Sequence, residues 1–562
     1  MSTFVARSLR FGILCAALVA GRSAPARATI YDVGPGQPLA AIGDAPWATL
    51  QPGDEVRIHW RPEPYREKWV IGRSGTAQAP IVVRGIPSPD GARPVVSGDG
   101  ATTPAPLDYT NEQRGVIKIG TSNVPPSTLP SHLVIEGLEI RSAHPAYPFY
   151  DDHGLLQSYG KNAASIYVER AAHLVIRDCV LHDSGNGLFI GAFDGQTTEI
   201  RIEGNHLFGN GNDGSAFEHN SYTAALGIVY EANRFGRLRL GADGNNLKDR
   251  SAGLVVRYNW IEGGNRQLDL VDAEDSGVLV AHPSYRRTFV YGNVLIEPDG
   301  AGNSQIVHYG GDSGNPAIYR HGVLHFFHNT VVSLRTGNTT LVRLSTDDET
   351  ADVRNNVLYV AAGGHRLALL NQDGELTLVH NWLKPGWVES HAGPAGVHDG
   401  GGNVEGAAPG FADETAQDFR PLAGSATIDA GAPLAAGALP LHAVTRRYAP
   451  HLASDIRRDP GAPDLGAFAA VPEPDTALAG AAALAALAGL AARRVRRRPP
   501  HRGIDLAHRP SARLDGREAA GARFRWSGVG LRARSLRGRA PDVRGSASGF
   551  SAAPCRRDGP VA

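Results

Sequence analysis

The 562-residue chain is poor in cysteine, methionine and aromatic side chains. It contains 3 Cys and one Met, and aromatic residues make up 7% of it. Only Cys179 lies far from both ends, so a fold held by disulfides is excluded and stability must come from packing. The formal net charge is zero, which argues against a nucleic acid as partner. Helical periodicity is almost absent, whereas Gly and Pro are abundant, at 68 and 38 residues.

The N-terminus has the pattern of a signal peptide. Arg7 and Arg10 precede the apolar run "FGILCAALVAG", and the small-residue stretch "SAPARA" follows it. The run has about eleven residues, too few to span a bilayer. We therefore expect residues 1–29 to be a signal peptide and the protein to be exported.

A second sorting signal is expected near the C-terminus, in "VPEPDTALAGAAALAALAGLAARRVRRR". The stretch, residues 471–498, resembles the PEP-CTERM signal of exported Gram-negative bacterial proteins: Pro-Glu-Pro, an apolar helix and an arginine cluster. The resemblance implies export across the inner membrane, a transient membrane anchor, exosortase-type sorting machinery and a place at the cell surface or in the extracellular matrix. Residues 499–562 are basic and poor in apolar side chains, and we expect a disordered tail.

An asparagine recurs between apolar residues at intervals of 25 to 36 positions. Short β-branched runs with period-two alternation flank each copy, separated by Gly, Asn and Asp. A repeat of about 25 residues holds three short strands, and blades of a propeller would need a longer, regular period. The pattern predicts an all-β, right-handed parallel β-helix with the asparagines stacked at one bend. These asparagines are Asn205, Asn233, Asn259, Asn293, Asn329, Asn356 and Asn381.

Both ends of the repeat region resemble known β-helix proteins. "LQPGDEVRIHW" and "PVVSGDG" look like the opening coils of polysaccharide enzymes with the pectin-lyase fold, and "DIRRDPGAPDLGAF" looks like a bacterial closing segment. The expected divisions are an N-terminal cap with first coils at 30–130, the β-helix at 131–400 and a closing segment at 401–470.

A charged column is predicted on the strand that follows each asparagine. If the leading apolar residue of each copy points inward, the next residue points outward. The predicted outward column is Phe189, Glu218, Lys248, Asp269, Val307 and Val342. Such charges either gather to do chemistry in a groove or form an ion-pair ladder that stabilises little.

The segment "NNLKDRSAG" resembles the alginate lyase and chondroitinase B group of β-helix lyases. These enzymes cleave uronic-acid polymers by β-elimination, with a calcium-assisted lysine base. The resemblance implies that Lys248 is the base and that Glu218, Asn220 and Asp243 bind Ca²⁺. It departs from the group at Val271, where an arginine acid is expected.

The remaining candidates are polar side chains near Lys248. Arg250 and Arg266 are candidate replacements for the arginine acid that is missing at Val271. The predicted catalytic residues are Lys248, Arg250, His219 and Asp269, and the predicted contacts to an acidic polysaccharide are Tyr222, Arg266, Asp272 and His308.

Two other functions stay open from the sequence. Asp269 with Asp272 or Glu274 is a candidate carboxylate pair for a glycoside hydrolase. A non-catalytic matrix protein would instead bind exopolysaccharide through Trp260 and the tyrosines as stacking surfaces.

Overall fold

The computed structural model describes residues 28–126, 129–459 and 461–470. The predicted signal peptide, sorting signal and basic tail lie outside these residues, apart from the last two residues of the 1–29 segment. Within the described part of the chain, no helix has both the length and the apolar character needed to cross a membrane.

Three long parallel sheets of 13, 11 and 10 strands wind around a shared apolar core in the described residues, and most turns of the chain contribute one strand to each sheet. This confirms the predicted all-β, right-handed parallel β-helix. The first sheet consists of Ile30–Val33, Glu55–His59, Ile81–Ile86, Ser131–Glu136, Ala172–Arg177, Thr198–Glu203, Leu226–Glu231, Ala252–Arg257, Arg287–Tyr291, Val323–Phe327, Thr350–Arg354, Glu375–Val379 and Gly396–Asp399.

The second and third sheets follow in each coil. The second consists of Val95–Ser97, Glu139–Arg141, Val180–His182, His206–Phe208, Arg234–Phe235, Trp260–Glu262, Val294–Glu297, Thr330–Ser333, Val357–Val360, Trp382–Leu383 and Val404–Glu405. The third consists of Trp69–Ile71, Gly115–Ile119, Ala164–Val168, Asn186–Ile190, Ser221–Thr223, Leu247–Asp249, Leu268–Leu270, Gln305–Tyr309, Thr339–Leu344 and Leu367–Leu370.

The other elements are short. Ala101–Thr102, Pro148–Tyr150 and Leu156–Ser158 form a small sheet, and Phe411–Asp413 with Asp418–Pro421 and Arg446–Ala449 with Ala453–Ile456 form two hairpins. In the part of the chain that the structure describes, one α-helix spans Gly277–Ala281, and 3₁₀ turns span Ile42–Asp44, Glu112–Arg114, Pro283–Arg286, Pro316–Ile318 and Ala436–Ala438.

Alternation along each strand builds the core. In Thr198–Glu203, Ile200 and Ile202 are buried while Arg201 is exposed. Ile202 pairs in register with Ile176 before it and Tyr230 after it, so like positions stack along the axis. Burying one such aliphatic side chain contributes about 1.5–3 kcal/mol, which explains why the apolar alternation fixes the register.

The asparagines stack at the bend between the first and second sheets, as predicted. The backbone N–H of each donates to the side-chain oxygen of the next at 2.8–3.0 Å, from Asn205 through to Asn403. One coil earlier Cys179 takes the asparagine's place and donates its N–H to Asn205. The ladder satisfies buried backbone groups that the bend leaves without strand partners.

The closing segment covers the outer face of the second sheet. Trp260 and Trp382 on that sheet pack in one apolar cluster with Phe419, Tyr448 and Phe468. The third sheet carries no such cover over the strands Ser221–Thr223, Leu247–Asp249 and Leu268–Leu270, where an open cavity lies.

Candidate active site

Side chains from successive coils form a polar column on the outer face of the third sheet. The observed register aligns Tyr222, Lys248, Asp269, His308 and Arg343, after Phe189. Residues between 21 and 39 positions apart in the chain thereby become neighbours.

Three members of the predicted column were wrong. Tyr222 takes the place of Glu218, because the strand of that coil begins at Ser221 and the preceding Phe217 is 81% exposed. Val307 pairs with Leu268, Val342 pairs with Val307, and both valines point into the core. A one-residue slip exchanges the two faces of a strand, and here it brings His308 and Arg343 outward.

Lys248 is held between two carboxylates. Its Nζ lies 2.8 Å from Asp269 Oδ2 and also donates to Asp312 Oδ2. Burial alone would lower the pKa of Lys248, but the two negative charges outweigh it and raise the pKa above its ordinary value. Lys248 is therefore protonated at neutral pH.

Asp269 is the centre of the network. Its carboxylate accepts hydrogen bonds from Lys248 Nζ, Asn245 Nδ2 and His308 Nδ1, each at 2.8 Å. Burial opposes ionisation, yet the hydrogen bond from His308 and the charge of Lys248 hold the pKa of Asp269 far below its usual range. Asp269 is a fixed anion that orients its neighbours.

Arg250 joins the column to the loops. Its Nε donates to the Tyr222 hydroxyl at 2.9 Å, and its Nη2 lies 2.9 Å from both Asp312 Oδ1 and Glu274 Oε1. Burial works against the charge, but Tyr222 and Asp312 keep the pKa of Arg250 above its ordinary value. The guanidinium stays charged beside the phenol oxygen.

Two histidines occupy different positions around this network. His219 Nδ1 accepts the backbone N–H of Asn245 at 2.9 Å, and its ring meets Tyr222 edge-on. Burial, reinforced by Lys248, lowers the pKa of His219 to about 3. His308 lies on the far side of Asp269, and its Nε2 is 2.9 Å from Ser345 Oγ. Burial lowers the pKa of His308 as well, so both rings are neutral at pH 7.

Seven predicted residues line one open cavity of about 430 Å³: His219, Tyr222, Lys248, Arg250, Arg266, Asp269 and Glu274. Asp312, Asn245 and Ser313 also line it and were not predicted. They lie in loops outside the repeat, where no periodicity marks them. The sequence offered one signal, the polar cluster "GGDSG" directly after the strand Gln305–Tyr309.

Asp272 and the predicted metal ligands lie apart from the cavity lining. Asp272 is fully buried, and its carboxylate accepts the backbone N–H groups of Asp312 and Ser313. It therefore shapes the loop that carries Asp312 and has no surface to offer a sugar.

The three predicted calcium ligands do not converge. Asn220 is buried in a second amide ladder, where it accepts from Asn210 at 2.9 Å and donates to Asn246 at 2.7 Å. Glu218 is buried, whereas Asp243 is exposed. Among the described residues, no three His, Cys, Asp or Glu side chains are grouped to hold a metal ion. The donors at these positions do not fit Ca²⁺, which takes six to eight oxygens.

No protein-family model matches the chain, and no curated protein matches it. Several solved structures are similar. The pectate lyase Pel9A shares 14% identity over 79% of this chain and 96% of its own, with a TM-score of 0.43. An alginate lyase from Paenibacillus sp. str. FPU-7 shares 15% identity over 60% of this chain and 94% of its own, with a TM-score of 0.38.

A third similar structure is a GH136 lacto-N-biosidase from Eubacterium ramulus. It shares 13% identity over 67% of each chain, with a TM-score of 0.35. Identities this low concern the fold and leave the reaction to be inferred from the site.

Proposed function

We propose that this protein is an exported enzyme that cleaves an acidic polysaccharide by β-elimination. The observation that carries the proposal is the open cavity on the third sheet, where Tyr222, Lys248 and Asp269 from three successive coils meet Arg266. Coils about 4.8 Å apart present such side chains in a line, which suits a linear polymer.

Two arginines are available to bind uronate carboxylates. Arg266 donates to Gln305 Oε1 at 2.8 Å, and its nearest carboxylate oxygen, on Asp269, is 3.7 Å away. Arg343 is the register neighbour of His308 and forms no ion pair with any residue that the structure describes. Guanidinium groups match carboxylates in a bidentate geometry, so we assign the C5 carboxylate of the substrate to Arg266.

Proton abstraction is assigned to Tyr222. A lysine acts as base only when neutral, and the ion pairs of Lys248 keep it charged in the free protein. The Tyr222 oxygen already accepts from Arg250, whose charge would stabilise the phenolate. In this arrangement Tyr222 takes the C5 proton, and Lys248 protonates the leaving oxygen.

The structure disfavours the two alternative functions. Asp269 is enclosed by its partners and Asp272 is fully buried. Glu274, the other predicted member, lines the cavity but is ion-paired with Arg250 at 2.9 Å, so neither predicted pair offers a glycoside hydrolase two free carboxylates. Trp260, the stacking surface expected of a matrix protein, is only 3% exposed. It is covered by the closing segment, where its ring centroid lies 5.6 Å from that of Phe419.

The test is incubation of the exported protein with alginate, pectate, chondroitin sulfate or heparin, with and without added calcium. Ultraviolet absorbance of unsaturated uronate ends is expected to rise with at least one polymer. The Tyr222→Phe variant should lose this activity by about 10²–10⁴-fold. Tyr150→Phe, on an exposed strand away from the cavity, is the matched control.

Other outcomes would reject the proposal. New reducing ends without unsaturation would indicate a hydrolase. Binding without either product would indicate a matrix protein. Full activity of Tyr222→Phe together with inactivity of Lys248→Ala would return the base to Lys248.

A further inference from the structure

One coil beyond the cavity, three side chains form a continuous chain of hydrogen bonds. Ser345 Oγ lies 2.9 Å from His308 Nε2, and His308 Nδ1 lies 2.8 Å from Asp269 Oδ1. Because the Asp269 carboxylate can only accept, His308 carries its proton on Nδ1 and presents the lone pair of Nε2 to the serine hydroxyl. This is the geometry of a nucleophile, its general base and the carboxylate that orients the base.

We infer that Ser345, His308 and Asp269 form an acyl-transfer triad that hydrolyses small O-acyl esters carried by the sugar hydroxyls of the polysaccharide. Ser345 is the nucleophile, His308 is the general base, and Asp269 is a positioning residue. The esterase chemistry stands on this geometry alone, whereas the polysaccharide as acyl carrier rests on the proposed function.

The solenoid explains how the three residues meet. Asp269 and His308 are register partners on Leu268–Leu270 and Gln305–Tyr309, and Ser345 directly follows the next strand, Thr339–Leu344. Gly310, just after His308, leaves room for the Ser345 side chain. Gly310 has φ +131°, and a Cβ there would lie 2.6 Å from both Cβ and Oγ of Ser345. A side chain at Gly310 would displace the nucleophile.

Ser345 and His308 are in the states that acyl transfer requires. His308 is buried and neutral at pH 7, while Ser345 is half-buried and reaches the surface. The backbone N–H of Gly311 donates to Ser345 Oγ at 2.9 Å. Three acceptors compete for the proton of this hydroxyl: His308 Nε2 and the Gly311 carbonyl oxygen, each at 2.9 Å, and the Tyr309 carbonyl oxygen at 3.3 Å.

Arg343 is placed to stabilise the oxyanion. It faces outward on the strand Thr339–Leu344 as the register partner of His308, and Ser345, the residue after that strand, contacts the same histidine. It has no carboxylate partner within the described ranges, and its positive charge acts on His308. A cation near the nucleophile lowers the energy of a tetrahedral intermediate.

The reaction balances without any further reagent. Ser345 Oγ attacks the acyl carbon while His308 Nε2 takes the hydroxyl proton. The bond from the acyl carbon to the sugar oxygen then breaks, and His308 returns the proton to that oxygen. Water, deprotonated by His308, attacks the acyl-serine. The products are the free sugar hydroxyl and a carboxylic acid, and Ser345 regains its proton.

The substrate class follows from the position of the triad. Asp269 both lines the cavity and holds His308, so the nucleophile lies next to the proposed polymer path. An acyl group on a sugar unit beside the one bound at Arg266 would reach Ser345. Acetyl esters are the simplest members of this class.

The probe is p-nitrophenyl acetate, and a fluorophosphonate tests the nucleophile directly. We expect p-nitrophenol release by the wild-type protein, and one covalent phosphonate at Ser345, located by peptide mass spectrometry. Ser345→Ala should reduce hydrolysis by about 10³-fold or more and abolish labelling. Ser454→Ala, in the distant hairpin Arg446–Ala449 with Ala453–Ile456, is the matched control.

The outcomes separate this inference from the proposed function. A wild-type protein that is neither labelled nor active on the ester, or that is labelled at another serine, overturns the triad without reference to any variant's folding. Unsaturated ends without ester hydrolysis would support the proposed lyase and reject the triad. Ester hydrolysis without unsaturated ends would support the triad and reject the proposed lyase.

Discussion

Lys248 and Asp269 stand in register on adjacent coils, and their side chains meet at 2.8 Å although 21 residues separate them in the chain. Both are buried, with 9% and 2% of their side-chain surfaces exposed. An anion and a cation buried together tie two coils to each other, and neither tolerates the loss of its partner.

The first prediction concerns this pair. Lys248→Ala should lower the free energy of unfolding by about 1.5–3 kcal/mol, because Asp269 keeps His308 and Asn245 but loses a charged donor. Chemical denaturation measures the change. Arg237→Ala, which removes an exposed partner of Glu262, is the control and should shift stability by less than about 1 kcal/mol. Equal losses of unfolding free energy in the two variants would mean that the buried pair stabilises the fold no more than an exposed pair does.

A second prediction concerns the asparagine ladder. Asn293→Ala removes the acceptor of the Asn259 backbone N–H and a donor to the Val256 carbonyl. Buried groups left without partners destabilise by about 1–3 kcal/mol each, so the variant should lose at least that much. Thermal and denaturant unfolding measure it against Asn315→Ala, an exposed asparagine just before the 3₁₀ turn Pro316–Ile318. A loss no greater than that of Asn315→Ala would contradict a stabilising ladder.

The fold followed from the sequence because its two signals are local. Alternating apolar residues mark each strand, and one asparagine per coil marks the bend, so both survive insertions of variable length. The ladder even continues one coil further than predicted, to Asn403.

The site followed only in part, because its register depends on tertiary packing. In "QIVHY", Ile306 and Val307 are both apolar, and alternation alone cannot say which one faces the core. The partner strand decides, since Leu268 pairs with Val307 and thereby turns His308 outward. Asp312 and Ser345 lie in turns after strands, so their contacts with Lys248 and His308 are set by the stacking of coils.

A third prediction concerns Glu297, a buried carboxyl on the second sheet. Its carboxyl group accepts hydrogen bonds from Gln267 Nε2 at 2.6 Å and from Arg335 Nη1 at 2.9 Å. Burial raises the pKa of Glu297 from 4.5 to about 7. The folded state therefore holds the proton more tightly than the unfolded state. Stability from this group is complete below pH 4.5 and falls as pH rises to about 7, by about 3 kcal/mol in all.

Unfolding free energies of Glu297→Gln and wild type, measured from pH 4 to 8, test this dependence. The variant should lack the downward slope of the wild type in that window. Glu63→Gln, at an exposed position, should keep it. Parallel curves for wild type and Glu297→Gln would contradict a raised pKa.

A fourth prediction concerns the pH profile of ester hydrolysis. His308 must be neutral to accept the Ser345 proton, and burial lowers its pKa below 6.5 although Asp269 opposes the shift. The charged groups that act on the ring are Asp269, Arg266 and Arg343. The value of kcat/KM for p-nitrophenyl acetate should therefore stay level as pH falls through 6.5 and decline only in more acidic solution.

Arg266→Gln provides the internal check on that profile. Removing one positive charge favours the imidazolium, so the acidic limb should move to higher pH in this variant. An unchanged limb would mean that the titrating group is not His308.

The last prediction separates binding from chemistry in the proposed lyase. Arg266→Ala should raise KM for the acidic polymer by about 10-fold or more, because a guanidinium–carboxylate contact contributes about 1.5–3 kcal/mol. Its kcat should change less than that of Tyr222→Phe, since Tyr222 rather than Arg266 moves the proton. Arg420→Ala, whose exposed side chain pairs with Asp418 on the closing segment, is the matched control. Initial rates of unsaturated-end formation over a range of polymer concentrations give both constants. A variant with unchanged KM would place the substrate carboxylate elsewhere, and Arg343 would then be the cation to replace.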